Sequence, residues 1–246
     1  ICACLVGSEM CIRDRCISEL GYGCSADGMS KDAIAKSNFA EAEKAEHRGL
    51  YQRAFDYYLK AAEHGELDKA QYKVGEYYYA FCKGEGKIDF NLTIEEGISN
   101  AISYYEMAAN QGNVNAQIDL YEIFYAGEYV EENDKEAFKW IKMAAQQGNA
   151  EAECSIAHAY EFGTGVEADY EEAVKWYEKA AEQGCKEAIR ELGFAYRTGD
   201  LHLCPSDEKS FYYYMEAAKQ GDAFSQTRIA DFYLSLIHIS EPTRHA

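Results

Sequence analysis

Cysteine and histidine are the side chains best able to ligate a metal or attack a substrate, and in this chain neither is spaced for it. There are 9 Cys and 6 His. The regular central region holds Cys82, Cys154, Cys185 and Cys204, with His47, His64, His158 and His202. None of these cysteines forms a Cys-x-x-Cys pair, and no Cys/His cluster has metal-ligand spacing, so ordinary reduced thiols, no metal and no cofactor are expected. Gly84-x-Gly86 lacks the Lys-Ser/Thr ending and preceding strand of a phosphate loop. No nucleophile stands visibly beside a base, and no catalytic residue is assigned. Asn91-Leu92-Thr93 is an N-glycosylation sequon that matters only in a secretory compartment.

The chemistry left is recognition. The 21 Tyr mostly follow a helical skeleton, where packing explains them. Tyr79 and Tyr125 fit that explanation less well. They belong to a row of residues roughly opposite the apolar stripe of a recurring helix. The row reads Tyr72, Glu76, Tyr79; then Ile118, Glu122, Tyr125; then Cys154, His158, Glu161; then Arg190, Phe194, Arg197. Aromatics and Arg are favoured interface anchors. The two readings are a partner-binding groove and plain solvated surface. Tyr72, Glu76, Tyr79, Glu122, Tyr125, His158, Glu161, Arg190, Phe194 and Arg197 are the candidate contact residues.

The elements that carry this row come from a repeat. Ala173-Val174-x-Trp176-Tyr177-x-x-Ala180-Ala181-x-x-Gly184 is an amphipathic helix ending at glycine, and its skeleton recurs five times. The other copies are Ala54 to Gly65, Ala101 to Gly112, Ala137 to Gly148 and Ser210 to Gly221. A second type of helix starts about four residues after each glycine, at Ala70, Ala116, Ala152, Ala188 and Ser225, in steps of 46, 36, 36 and 37. A fixed period of this size signals a solenoid. The long step is a loop at 82–96, an insertion that looks irregular and exposed. Paired alanines let a neighbouring helix approach, and the aromatic pair fills the space beside it. In the helices bearing the row, Ala152, Ile156, Ala159 and Tyr160 make the core stripe, and Ala188, Leu192, Ala195 and Tyr196 repeat it. A further helical stretch, Asp32 to about His47, precedes the repeats.

Composition bounds the partners. The 246 residues carry a net charge of −19, from Lys+Arg 24 against Asp+Glu 43. Nucleic acid and anionic membrane surfaces want basic patches, so neither is an expected partner. No apolar run approaches the roughly 18 residues of a membrane helix. An acidic groove favours basic or mixed-charge segments.

Both ends look foreign to the repeat. Leu5–Arg15 and Leu234–Arg244 can be encoded by opposite strands of one short DNA resembling a sequencing-library adapter. Residues 1–15 and 234–246 are therefore read as translated adapter and set aside. Residues 16–31 are an uncertain leader with Met29 as a candidate start, which would make the protein cytoplasmic. The solenoid is expected over 32–233, about five repeats with the last one truncated. An uncovered face there would favour self-association.

At this point a family resemblance is specific. Ala188, Leu192-Gly193 and Tyr196, the turn Gly163-x-Gly165-Val166, and Ala173-x-x-Trp176-Tyr177-x-x-Ala180-Ala181-x-x-Gly184 look like Sel-one-like repeats, relatives of tetratricopeptide repeats. The resemblance covers about Ala35 to Tyr233. Its departures are the loop after Ala70's helix and Asp200-Leu201-His202-Leu203-Cys204-Pro205 in place of a Gly-Val turn. The resemblance implies an all-α, right-handed superhelix of antiparallel helix pairs. The first helix of each pair would line a concave face, and the role would be a non-enzymatic adaptor or scaffold for proteins or peptides. Two other roles occur among relatives. One is a secreted, cysteine-rich protein with β-lactam-binding or hydrolysing activity, whose recurring disulfide cysteines this chain does not match. The other is a luminal quality-control adaptor.

Overall fold

In the computed structural model, residues 31–64 and 67–240 are described. The adapter-like segment 1–15, Cys16, Cys24 and Met29, the helix-ending Gly65, and residues 241–246 lie outside the described residues. Among the described residues there are eleven α-helices, one 3-10 turn and no strand. They are α1 Lys31–His47, α2 Tyr51–His64, α3 Asp68–Cys82, α4 Ile94–Asn110, α5 Val114–Ala126, α6 Asp134–Gln146, α7 Ala150–Phe162, α8 Tyr170–Glu182, α9 Lys186–Thr198, α10 Asp207–Lys219 and α11 Ala223–Ser240.

The chain divides after Leu67 into two units. In the first, α1 and α2 pack together, with Ala35, Ala42 and Ala45 of α1 buried. The Tyr58 hydroxyl donates to Glu46 at 2.7 Å, and its ring meets Phe39 edge-on. In the second, the pairs α3/α4, α5/α6, α7/α8 and α9/α10 pack most closely, and each pair packs on the next. That is a solenoid of consecutive helix pairs.

Local chemistry sets the joints. The second helix of one pair ends as α8 does, where Gly184 N–H donates to Ala181 and Cys185 N–H to Ala180 with Gly184 at φ +83°. Those two bonds satisfy carbonyls that the helix leaves open, and only glycine takes that φ without strain. The next residue then caps the following helix: Asn113 accepts from the Ala116 amide and Asn149 from the Ala152 amide. Trp140, Tyr105, Tyr177 and Tyr214 are fully buried between helices.

One expectation changes. The insertion is shorter and better anchored than 82–96. Cys82 is the buried last residue of α3, and α4 begins at Ile94. Thr93 and Glu96 form a reciprocal capping box there, which draws Glu95 and Glu96 into the helix. The loop between is pinned by buried Ile88 and by Phe90, whose ring lies 4.8 Å from Tyr78 and 5.6 Å from Phe81. Asn91 stays exposed, at φ +51°. The aberrant turn after α9 closes as a 3-10 turn over Asp200–His202, which buries Leu201 beneath it. The helix α11 also runs on through 234–240, part of the segment read as adapter.

Candidate partner-binding face

The ten candidate residues sit on α3, α5, α7 and α9, the leading helices of successive pairs. Spacing of four and three residues places each trio on one helix face. The structure then divides the row into three neighbourhoods.

The first joins α3 to α5. Tyr72, Glu76 and Tyr79 come together with Glu122, as the spacing suggests, around a carboxylate that the sequence reading missed. Asp119 of α5 accepts hydrogen bonds from Tyr72 and Tyr105. Burial pushes its carboxyl up to about 6, and the nearby carboxylates of Glu122 and Glu76 add to the effect against those hydrogen bonds. The Tyr72 and Tyr105 hydroxyls are pushed well above their usual range, first by burial and then by Asp119. Tyr79 stands edge-on to Tyr105 and Tyr129, with the Lys83 ammonium 4.2 Å from its ring centre. Glu76 pairs with Lys73 at 2.7 Å. The signal for Asp119 was an acid lying between the core positions Ala116 and Leu120.

The second neighbourhood joins α5 to α7. Tyr125 is 51% exposed and stacks on Tyr121 at 5.3 Å. A small cleft of about 70 Å³ opens here, lined in part by Tyr121, Tyr125, Phe138, His158 and Phe162. Phe162 is 72% exposed and was not among the sequence candidates; it lies one residue before the Gly163 turn, where helix periodicity stops reading clearly. The His158 ring lies 5.4 Å from Tyr177 and 6.3 Å from Phe162. Glu161 accepts a hydrogen bond from the Tyr177 hydroxyl, so it holds a core ring and does not line the cleft.

The third lies on α9. Arg190 pairs with Glu191 at 2.9 Å and Glu187 at 3.4 Å. With Phe194, which is 42% exposed, and Phe224 of α11, Arg190 and Glu191 line an open cavity of about 330 Å³. Arg197 instead reaches Asp207 at 2.8 Å and lies over the Phe232 ring at 4.5 Å. Those contacts tie α9 to α10 and α11.

Within each pair lies a rung of a side-chain ladder that periodicity did not reveal. Gln111 donates to Gln71, Gln147 to Gln117 at 2.8 Å, and Gln183 to Glu153. The acceptors are buried, each one residue after the first core alanine of its helix. Each rung links the end of a pair's second helix to the leading helix of the same pair. Glu153, fully buried, also meets Lys179 at 2.6 Å.

Among the described residues, no group of three His, Cys, Asp or Glu could hold a metal ion, and no helix is long and apolar enough to cross a membrane. The face offers rings, carboxylates and guanidinium groups at its surface, which suits non-covalent recognition.

Comparison with known proteins fits this geometry. No curated protein matches the chain. Among solved structures, a Sel1 repeat protein from Oxalobacter formigenes superposes with a TM-score of 0.63 at 25% identity, over 92% of this chain and 84% of that one. An immunity protein from Pseudomonas aeruginosa gives 0.40 at 22% identity, over 79% and 68%. A protective antigen of uropathogenic Escherichia coli with an SLR fold gives 0.37 at 23%, over 82% and 57%. The model of the Sel1 repeat matches residues 50–66, 68–113, 116–149, 150–185 and 186–222, the same periods that the helix pairs and the amide ladder mark out. This chain belongs to the Sel1 repeat family.

Proposed function

We propose that this protein is a non-enzymatic scaffold that binds a protein or peptide segment along the leading-helix row, with the α5/α7 cleft as its principal anchor point. The observation that carries the reading is the exposure of Tyr125, Phe162 and Phe194 on three successive leading helices, two of them around a shared cleft. Rings held on a rigid scaffold add contact area at little entropic cost. Glu122 and Glu191, on the same helices as Tyr125 and Phe194, favour a partner with Lys or Arg next to an apolar or aromatic side chain. The 25% identity to the Oxalobacter protein supports the scaffold and leaves the partner to be found.

Selection from a random peptide library displayed on phage tests this. Enriched peptides should combine a basic residue with an apolar anchor. Their affinity should fall at least about thirtyfold in Tyr125→Ala and in Phe162→Ala with helicity unchanged, since an interface hot spot is worth at least about 2 kcal/mol. Binders that ignore both substitutions would sink the proposed face.

A further inference from the structure

The sequence reading takes Cys154 and Cys185 for ordinary thiols, and the fold brings them together. Cys185 stands in a position that other repeats give to a capping residue. After the helix-ending glycine come Asn113, Asn149 and Asp222, and each side chain accepts the amide proton three residues on, at 3.1, 2.9 and 2.8 Å. Cys185 is the N-cap of α9 without a formed side-chain cap bond, its sulfur only facing the Glu187 and Ala188 amides. Its side chain packs instead on the core cluster that contains Cys154, Ala188 and Leu192. Cys154, in the second turn of α7, is only 3% exposed, while Cys185 is half-buried. The adjoining Gln183–Glu153 hydrogen bond fastens the α8–α9 turn to α7 beside both sulfurs.

We propose that Cys154 and Cys185 form a redox pair, in which Cys185 reacts with a hydroperoxide and Cys154 resolves the product to a disulfide joining α7 to the start of α9. The Cys185 thiolate attacks the peroxide oxygen, forming an S–O bond as the O–O bond breaks. Water or alcohol leaves, and Cys185 becomes a sulfenic acid. The Cys154 sulfur then attacks the Cys185 sulfur. Its thiol proton and the departing hydroxyl leave as a second water. Two thiols lose two electrons in total, and the hydroperoxide gains them.

The surroundings assign these roles. The neighbouring Cys154 thiol lowers the Cys185 thiol to about 6, helped by the Ala188 and Glu187 amides at the helix start and opposed by burial. Cys154 is pushed up by Cys185 and by burial, so it keeps its proton while Cys185 is the thiolate and gives it up only after Cys185 has been oxidised. The other titratable groups facing the pair are Glu187 and Glu191 of α9, Tyr177 of α8 and Tyr121 of α5. The two carboxylates oppose the thiolate. The other repeats carry Tyr72, Ile118 and Arg190 in place of Cys154, and Asn113, Asn149 and Asp222 in place of Cys185, so the pair does not recur along the chain.

The test treats the reduced full chain with one equivalent of hydrogen peroxide, blocks remaining thiols and maps tryptic peptides. Peptides Met143–Lys175 and Ala180–Lys186 should appear joined and separate again on reduction; peptides from residues 1–30 are scored apart. At pH 7 Cys185 should alkylate about two to three times faster than the exposed Cys204, its larger thiolate fraction being partly offset by lower nucleophilicity. Cys154→Ala, or Cys154→Val if alanine unfolds it, should accumulate a dimedone-reactive sulfenic acid at Cys185. Cys185→Ala should leave Cys154 unoxidised. Joined peptides in the wild type with those variant results support the pair. Oxidation without the Met143–Lys175 to Ala180–Lys186 link, or alkylation of Cys185 no faster than Cys204, would overturn it.

Discussion

The ring of Tyr214 lies so close to Gly193 that a Cβ on residue 193 would stand 2.9 Å from its Cδ1. Gly193 is on α9 and Tyr214 on its partner α10. The same fit occurs at Gly75 and Tyr105, where the added carbon would meet the ring at 2.6 Å. At the matching place in α5 and α6 the volumes are exchanged, with Tyr121 on the leading helix packed toward Ile141. The helix pair therefore conserves volume at this contact while the individual residues trade size. Gly193→Ala should cost about 1–3 kcal/mol in urea unfolding, the range of an overpacked core. The double variant Gly193→Ala/Tyr214→Leu should cost less than the two single changes summed, because the clash is shared. Additive losses would show that the contact does not couple them.

The amide ladder makes a second prediction. Glu153 is a buried carboxylate where the preceding repeats have Gln117 and Gln71. Its partners are Lys179 and Gln183. Lys179 is half exposed, so solvent weakens the pair. Lys179→Ala should cost about 1–3 kcal/mol, mostly by leaving a buried carboxylate short of a partner. Glu153→Gln in that background should recover part of the loss, since an amide needs no counter-charge. Chemical denaturation of wild type and the two variants decides it; no recovery would mean that the charge is not the cause.

These two contacts mark what was legible. The five skeletons, their glycines and the solenoid could be read from sequence, because helix periodicity and glycine stops are local signals repeated five times. The pairing of Gly193 with Tyr214 and of Gln183 with Glu153 was not read, because each depends on which helix faces which. The capping box at Thr93 and Glu96 was readable in principle, but its loop looked too polar to start a helix. In the candidate row, Tyr72, Glu76, Tyr79 and Glu122 do meet, as do Tyr125 and His158. Asp119 and Phe162 were missed, one inside an apolar stripe and one at a helix end where periodicity fades. Arg197 is a candidate contact residue in the sequence and is tied to Asp207 and Phe232, residues of later helices.

Asp119 gives a pH-dependence of defined sign. Its carboxyl is raised in the folded state, to about 6 from an ordinary value of 3.8. The folded state therefore holds this proton more tightly than the unfolded state. That contribution is fully present below the ordinary value and is lost as pH rises through about 6. Asp119→Asn keeps an oxygen to accept from a tyrosine and cannot ionise. It should be stabilising relative to wild type at pH 8, by about 1–3 kcal/mol, and close to neutral at pH 4. Urea midpoints at the two pH values check this, and a gain that does not change between them would contradict it.

The central claim is that a partner lies along α3, α5, α7 and α9. Its most direct test is photo-crosslinking with a selected peptide carrying a diazirine beside its apolar anchor, followed by mapping of the attached residues. Adducts should concentrate on Tyr125, His158, Phe162 and Phe194, and should be lost when unlabelled peptide competes. Competable adducts on the trailing helices α6, α8 and α10, with none on α5, α7 or α9, would contradict it.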